Sequence, residues 1–178
     1  MSDFVGCVNS ECPLYERFRL EDSMTGEKKE RIYDNEMVLI FDAIACNEAL
    51  ARMTVMAFLT PLNPTIEEIA DVKTAVSEAV TNSIIHGYDG KEGKIHMLCG
   101  VKGRTLFVEI CDKGAGISNI AKAMEPTYTT RPELERSGMG FCFMEAFMDE
   151  LRVESEVGKG TVVSMTKTIA QYDGQMTD

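Results

Sequence analysis

Three polar residues that could do chemistry together, Glu78, Asn82 and His86, lie four residues apart in the sequence. In a helix, at about 100° per residue, this spacing forms one stripe that drifts by about 40° per step. An amide oxygen suits Mg²⁺ that phosphates already hold, and a carboxylate can accept a proton from an attacking hydroxyl. The stripe therefore predicts metal binding by Asn82 and general-base chemistry by Glu78. The alternative is an ordinary solvated helix face.

A second fragment, Asp112-Lys-Gly114-Ala-Gly116, follows directly on an apolar run that ends at Cys111. An aspartate at this point can accept a hydrogen bond from the amino group of adenine, and the two glycines permit close backbone approach and positive φ. The fragment is not a P-loop, because the sequence lacks a G-x4-G-K-[ST] match. The alternative is a plain turn after a strand, where Asp and Gly are common.

Two further fragments complete the set. Gly138 and Gly140 open a predicted helix whose first N–H groups and dipole favour an anion, and Arg136 just before them can add a charged contact. Thr161, which follows a Gly-Lys-Gly turn, can support the contact to the base, although the same segment can simply be a hairpin turn. Taken in order, the fragments predict a site for ATP.

The elements that must position these fragments begin with a short apolar strand at residues 37–41. Asn47 is predicted to cap a helix that ends near Thr60, because two prolines follow. A second helix is predicted from Thr65, which can form a capping box with the glutamate three residues later, to His86. Gly87 is predicted to stop this helix.

Residues 94–101 and 104–111 are rich in β-forming residues, and the short turn between them predicts an antiparallel hairpin. The segment after Asp112 is weakly periodic and contains Pro126 and Pro132, which predicts a functional lid that ends at Gly138.

A third helix is predicted over residues 141–150, and two final strands over 151–156 and 161–169. The sum of these elements predicts an α/β fold. We expect a two-layer sandwich with helices on one face of a mixed, mostly antiparallel sheet.

Composition limits the classes of function. The chain has 178 residues of which 44% are hydrophobic, enough for one core without disulfides or metal. We expect an N-terminal extension at residues 1–35, a domain at 36–170 and a C-terminal tail at 171–178. A net charge of −11 and a pI near 4.7 oppose nucleic acid as a partner and favour protein. No membrane-length apolar run or signal peptide is present in the sequence, so a cytoplasmic location is expected.

The six cysteines are scattered along the chain. Four of them lie in apolar runs, where a thiol behaves as a small hydrophobe, and this favours a reducing compartment. Cys7 and Cys12 could form half of a zinc site, but no second Cys or His pair lies nearby. Plain free thiols are the favoured interpretation.

The fragments resemble the N, G1 and G2 boxes of the Bergerat-type ATP-binding fold, which gyrase, histidine kinases and mismatch-repair ATPases share. Within that fold, residues 77–88 and 129–141 are similar to the anti-sigma factor serine/threonine kinases of spore-forming bacteria. The resemblance runs from about residue 36 to residue 169, and residues 1–35 have no counterpart in it.

The resemblance implies a homodimer that uses Mg-ATP to hold a sigma factor off RNA polymerase and that phosphorylates a serine of an anti-anti-sigma protein. It implies that Glu78 is the general base, Asn82 the magnesium ligand and Asp112 the residue that reads adenine. Arg52 matches a family position that grips the sigma factor and the partner. His86 belongs to the nucleotide stripe. The other residues implied to shape the nucleotide pocket or to contact the nucleotide are Gly114, Gly116, Thr130, Arg136, Gly138, Gly140 and Thr161.

An interface between two copies is also expected from the first helix. Its apolar residues, more than one buried stripe requires, are Leu50, Met53, Val55, Met56 and Phe58. The preceding strand could pair at a sheet edge with another copy. The alternative is that all five pack inward and Arg52 is merely solvated.

Three alternative functions stay open. One is an ATP-gated sigma-binding module without kinase activity, although it leaves Glu78 without a purpose. The second is an anti-sigma kinase of general stress rather than of sporulation. The third is the detached catalytic domain of a sensor histidine kinase, which the short lid and the lack of a preceding phosphoacceptor helix disfavour.

Overall fold

The computed structural model describes residues 32–126 and 138–171, which lie within one compact unit, Ile32–Asp178. Five described strands form a single sheet in the order β1-β2-β3-β5-β4. The strands are β1 (Asn35–Asp42), β2 (Lys94–Lys102), β3 (Thr105–Asp112), β4 (Glu150–Glu156) and β5 (Gly160–Thr168). The predicted hairpin is confirmed as β2 and β3, which pair antiparallel around Gly103 at a φ of 60°.

The helices pack on one face of this sheet, which confirms the predicted two-layer α/β sandwich. They are α1 (Cys46–Leu59), α2 (Ile66–Asn82), α3 (Ile120–Ala123) and α4 (Gly140–Phe147). Apolar residues that alternate along the central strands, such as Ile95, Met97 and Ile110, are fully buried against the helices. This period-two burial is what a sheet covered on one face requires.

Every pairing among the described strands is antiparallel, whereas the sequence predicted a mixed sheet. The connection from β1 to β2 contains both predicted helices, and their directions determine how β2 pairs with β1. The Ser77 hydroxyl near the end of α2 donates to Glu48 near the start of α1 (2.5 Å), so the two helices run in opposite directions. Because α1 and α2 run in opposite directions, the chain enters β2 antiparallel to β1.

Helix α2 begins with the predicted capping box. The backbone N–H of Glu68 donates to the Thr65 hydroxyl (3.1 Å), and the backbone N–H of Thr65 donates to the Glu68 carboxylate (2.7 Å). The same carboxylate accepts the backbone N–H of Ala170 (2.7 Å), which ties the helix start to the end of β5. Further along, Lys167 donates to Asp71 on α2 (3.3 Å) and to the Phe147 carbonyl that ends α4 (2.7 Å).

The end of α2 differs from the prediction. The regular helix stops at Asn82 and continues as a π-helical turn, Ser83–Tyr88, so Gly87 lies inside the turn and does not stop the helix. The chain leaves the turn at Asp89, in the left-handed conformation with a φ of 51°. Wide turns of this kind are uncommon and frequently mark functional sites.

The predicted N-cap of α1 is wrong. Helix α1 starts at Cys46 after Ala45, whose side chain makes no capping hydrogen bond. Asn47 instead donates through Nδ2 to the carbonyl of Asp42 (2.9 Å), so its amide fixes the helix to the end of β1. The chain then tightens into a 3-10 turn, Thr60–Leu62, which accommodates the first proline at its start.

The third predicted helix is shorter than expected. Helix α4 covers Gly140–Phe147, and Met148 is already extended, with a ψ of 153°. The backbone N–H of Asp149 donates to the carbonyl of Thr166 (2.8 Å), so pairing with the last strand ends the helix before Glu150. Asn119, in the predicted lid, caps the short helix α3. Residues 127–137, with Thr130, Pro132 and Arg136, lie outside the described residues.

Residues 33 and 34, which the sequence assigned to the extension, contact the sheet. The Tyr33 ring packs against Phe107 with 5.3 Å between centroids, and a Cβ on Gly100 would lie 2.6 Å from the same ring. The backbone N–H of Asp34 donates to the carbonyl of Val101 (2.8 Å). Cys7 and Cys12 lie outside the described residues.

Of the cysteines in the described ranges, Cys99 and Cys111 are buried, and burial raises the pKa of the Cys99 thiol to about 12. Cys46, expected in an apolar run, is exposed at the start of α1. None of the described helices is both long enough and apolar enough to cross a membrane.

We predict that Thr65→Ala lowers the free energy of unfolding by about 1 kcal/mol, because it removes the acceptor of the Glu68 N–H at the start of α2. Urea denaturation measures this change. Thr65→Ser keeps the hydroxyl, and we expect it to stay within about 0.5 kcal/mol of the parent protein. Equal stability of the Ala and Ser variants would contradict the capping assignment.

Candidate functional site

A cavity of about 430 Å³ lies between α2, the loop after β3 and the start of α4. It collects fragments that are far apart in the sequence. The residues of the predicted site that line it are Asn82, His86, Asp112, Gly116, Gly138, Gly140 and Thr161. Gly114 lies behind the cavity wall, where it lines a second cavity. Thr130 and Arg136 lie outside the part of the chain that the structure describes.

The polar stripe of α2 faces the first residue of α4. A Cβ built on Gly140 would lie 3.0 Å from Glu78 Oε2 and 3.3 Å from Asn82 Nδ2. Glu78, Asn82 and His86 are half-buried, while the opposite sector of the helix, including Val76 and Val80, is fully buried in the core. The solvated-face alternative therefore does not describe these residues. Gly140 leaves the carboxylate and the amide open to one space.

Asp112 is the buried acid of the cavity, with 4% of its surface exposed. The Ser83 hydroxyl donates to Oδ2 (2.9 Å), and the backbone N–H of Gly114 donates to Oδ1 (2.8 Å). Burial raises the pKa of the Asp112 carboxyl, and the hydrogen bonds from Gly114, Ser83 and the Thr161 backbone oppose that rise. When ionised, the group only accepts hydrogen bonds, as a reader of an amino group must.

Two glycines allow the π-helical turn to press against the loop after β3. A Cβ on Gly114 would overlap the carbonyl group of Gly87, and a Cβ on Gly87 would lie 3.1 Å from the Asp112 carboxylate. The backbone N–H of Ala115 donates to the Gly87 carbonyl (2.8 Å) and holds the two segments together. Gly87 and Gly114 thus both serve close packing, and Gly87 also lines the cavity.

The turn between β4 and β5 closes the cavity from the other side. Gly116, at a φ of 71°, passes so close to Glu156 that a Cβ would overlap the Glu156 carbonyl oxygen. The backbone N–H of Gly158 donates to the carbonyl of Ala115 (2.8 Å), which fixes the turn against the same loop. Thr161 follows the turn and is almost fully buried, with 8% of its surface exposed.

Helix α4 begins one residue before the predicted range of 141–150. Its first residue is Gly140, after Met139, and Gly138 lies outside it with a φ of 60°. The first hydrogen bond within the helix runs from the Phe143 N–H to the Met139 carbonyl (2.9 Å). The earlier N–H groups have no acceptor within their own helix and lie at its positive end, next to the cavity.

Sequence reasoning missed several lining residues, among them Ser83, Asn119, Lys122 and Phe141. Ser83 does not belong to the predicted polar stripe of this helix, and only the fold places it against Asp112. Asn119 accepts the backbone N–H of Lys122 (3.0 Å) as the cap of α3, a local signal that the sequence did contain. Among the described residues that line this cavity, Lys122 is the only Lys or Arg.

Arg52 is not among the residues that line the cavity. It lies on α1, where Nε is 3.6 Å from Glu48 Oε1, and 35% of its side chain is exposed. Glu48 also accepts the Ser77 hydroxyl, so the arginine is joined to the residue before Glu78. Within residues 32–126 and 138–171, no group of three or more His, Cys, Asp and Glu side chains could hold a metal ion by itself.

The chain is similar to a known family of ATPase domains and to known anti-sigma F factors. Residues 43–167 match the family of histidine kinase-like ATPase domains. The chain is 57% identical over 136 residues to an anti-sigma F factor of Clostridium kluyveri, covering 76% of this chain and 96% of that protein. It is 58% identical over 137 residues to an anti-sigma F factor of Clostridium botulinum, strain Eklund 17B, at 76% and 96% coverage.

A solved structure supports the fold. The crystal structure of the RsbU and RsbW domains of a Mycobacterium tuberculosis protein superposes with a TM-score of 0.57 at 21% identity. The similarity covers 77% of this chain and 33% of that longer chain. At this level of identity the comparison concerns the fold alone.

We predict that Asp112→Asn weakens ADP binding at least about tenfold, because the amide presents a donor where the carboxylate accepts. Calorimetry measures the dissociation constant.

The folded-state pKa of Asp112 is raised, so its contribution to stability is present below the unfolded pKa and is lost as pH rises through the folded pKa. The unfolding free energy of the variant relative to the parent should therefore increase from about pH 4 to pH 7.

Asp89→Asn is the matched control, since Asp89 is exposed and its left-handed conformation suits Asn equally well. We expect it to leave ADP affinity unchanged. Parent-like ADP affinity in Asp112→Asn would contradict the assignment of Asp112 to the base.

Proposed function

The chain belongs to the anti-sigma F factor family and carries a histidine kinase-like ATPase domain, and from that premise we propose that it is an ATP-dependent anti-sigma factor and protein serine kinase. It sequesters a sporulation-type sigma factor and phosphorylates a serine of an anti-anti-sigma protein, using Mg-ATP in the cytoplasm. The observation that carries the proposal is one cavity that joins the buried Asp112 to Asn82 and adjoins Glu78.

The chemistry of the cavity fits an adenine nucleotide with magnesium. Asp112 accepts the amino group of the base at the buried end. Gly116 and Thr161 complete the base pocket, while Gly138, Gly140 and the start of α4 face the phosphates. Thr130 and Arg136 remain predicted contacts of the lid with the phosphates. His86 lines the cavity beside Asn82 and stays a predicted nucleotide contact.

The described part of the site is poor in cations, which supports a need for magnesium. Lys122 is the only Lys or Arg among the described lining residues, and Glu78 and Asp112 add negative charge. Asn82 offers a neutral amide oxygen, which suits an ion that keeps most of its other ligands from phosphate and water. When bound, the ion neutralises phosphate charge.

The chain's own contribution to transfer is proton removal and positioning. Glu78 accepts the proton of the incoming serine hydroxyl as the new oxygen–phosphorus bond forms and ADP departs as the leaving group. Helix α2 holds this carboxylate one turn from Asn82, so the distance between the general base and the metal ligand is set by one helix. Gly140 supports the arrangement, since a side chain there would crowd both groups.

The partner surface lies on α1 and the edge strand β1. Apolar side chains at least 39% exposed are Val38, Ile40, Ile44, Leu50 and Met53. Val55, which the sequence placed in the same surface, is fully buried instead. We propose that this surface joins two copies and presents two Arg52 side chains to one acidic segment of a sigma factor, consistent with an isologous interface. Light scattering at micromolar concentration tests the dimer.

Incubation with radiolabelled ATP and a purified anti-anti-sigma protein tests the kinase. We predict that Glu78→Gln reduces transfer of label to serine by about 10² or more and leaves ADP affinity nearly unchanged, because only the proton acceptor is lost. Glu67→Gln, an exposed residue in the first turn of the same helix, is the control and should transfer label at the parent rate.

An active Glu78→Gln variant would refute the base assignment. If the parent protein transfers no label but binds a sigma factor only in the presence of ATP, the binding-module alternative holds and the kinase proposal fails.

For the partner surface we predict that Arg52→Glu weakens sigma binding at least about tenfold, because it replaces attraction to an acidic segment with repulsion. Fluorescence anisotropy with a labelled sigma factor measures this. Arg152→Glu, on the opposite edge strand, reverses the same charge on an exposed side chain and should bind like the parent. Equal loss in both variants would indicate a general charge effect rather than a site.

A further inference from the structure

Ser155 on β4 connects three parts of the base end of the cavity. Its hydroxyl accepts the backbone N–H of Ile117 (2.8 Å), donates to the carbonyl of Gly160 (2.9 Å) and lies 2.8 Å from the Thr161 hydroxyl. Ser155 is half-buried and is not among the residues that line the cavity, whereas Thr161 and Ile117 both line it. Any effect of Ser155 on a bound base therefore passes through these neighbours.

The count of hydrogens fixes the direction of the bond between the two hydroxyls. A serine hydroxyl has one hydrogen, and the Gly160 carbonyl can only accept, so that hydrogen goes to Gly160. Thr161 must then donate its own hydrogen to Ser155. The Thr161 oxygen is left with lone pairs alone, and in the cavity it acts only as an acceptor.

The groups next to Thr161 in the cavity also offer hydrogen-bond acceptors rather than free donors. The Asp112 carboxylate is an acceptor when ionised, and the N–H of Gly114 is already engaged by Asp112. The N–H of Ile117, which could otherwise donate into the cavity, is engaged by Ser155. The two side chains at this end, Asp112 and Thr161, thus both accept, which favours a 6-amino purine and disfavours a 6-oxo purine.

We propose that Ser155 is a specificity-determining positioning residue. By holding the Thr161 hydrogen and the Ile117 N–H away from the cavity, it makes the site select adenine over bases with an oxygen at position 6. This inference rests on the proposed nucleotide site and deepens it. Without the serine hydroxyl, Thr161 can rotate and donate to a 6-oxo group, so discrimination falls.

The test compares ADP with inosine diphosphate, in which a 6-oxo group replaces the 6-amino group. Calorimetry gives both dissociation constants and their ratio, inosine diphosphate over ADP. We expect Ser155→Ala to lower this ratio at least about fivefold, since ADP binds more weakly and inosine diphosphate more tightly. Loosening of the fold would weaken both ligands together and leave the ratio unchanged.

Three further variants make the test specific. Ser155→Thr keeps a hydroxyl at this position and should keep the parent ratio of the two dissociation constants. Ser164→Ala removes a β5 serine that donates to Glu109 (3.3 Å) and does not line the cavity, so it should leave the ratio unchanged. Thr161→Val should itself lower the ratio, and adding Ser155→Ala to it should lower the ratio less than Ser155→Ala does in the parent, because part of the serine's effect passes through the threonine.

Two results overturn the proposal: an unchanged ratio in Ser155→Ala, or a fall of the ratio on adding Ser155→Ala to Thr161→Val that is as large as the fall in the parent. If Ser155→Ala does not fold, Thr161→Val alone decides, and a parent-like ratio in it counts against the proposal. Failure of the parent protein to bind ADP would refute the proposed nucleotide site, and this inference with it. Parent binding of ADP with an unchanged variant ratio refutes the inference alone.

Discussion

The burial of one carboxylate, that of Asp112, is the constraint on which the rest of the site depends. A carboxylate removed from water is stable only when hydrogen bonds replace its hydration. Here the donors come from the Ser83 hydroxyl on the π-helical turn and from the N–H of Gly114 on the following loop. Both segments must therefore approach the end of β3 closely. The absence of side chains at Gly87 and Gly114 is what permits that approach.

The position of α2 beside this carboxylate is set by contacts at its start and along its length. At its start, Glu68 satisfies N–H groups of Thr65 and Ala170. Along its length, Lys167 pairs with Asp71, while the core contacts the helix through fully buried residues such as Val72 and Val76. A helix held in this way keeps the stripe of Glu78 and Asn82 directed at the start of α4, where Gly140 leaves room.

The cavity and the proposed partner surface occupy different parts of the domain, and a contact between α1 and α2 connects them. The exposed apolar residues of β1 and α1 lie at the sheet edge that begins with β1. The base end of the cavity lies near the other edge, where the turn between β4 and β5 meets the loop after β3. Glu48 bridges the two regions, since it pairs with Arg52 and accepts the Ser77 hydroxyl next to Glu78.

The sequence by itself determined the parts whose causes are local. The capping box at Thr65 and the hairpin around Gly103 depend on neighbours within a few positions, and both occur as predicted. The spacing of the motif residues also indicated the ATP-binding fold. Asn47 marks the limit of local reasoning, because its amide bonds to the end of β1 instead of capping its helix.

Only the tertiary structure decided the π-helical turn, the early end of α4 and the roles of Ser83 and Ser155. Partners far away in the sequence set these features: Asp149 pairs with Thr166 at the end of α4, Ser83 bonds to Asp112, and Ser155 bonds to Ile117. Which residues meet across strands and loops is set by register and packing of the whole sheet. A serine carries no local signal of such a partner, whereas a helix cap or a turn glycine does.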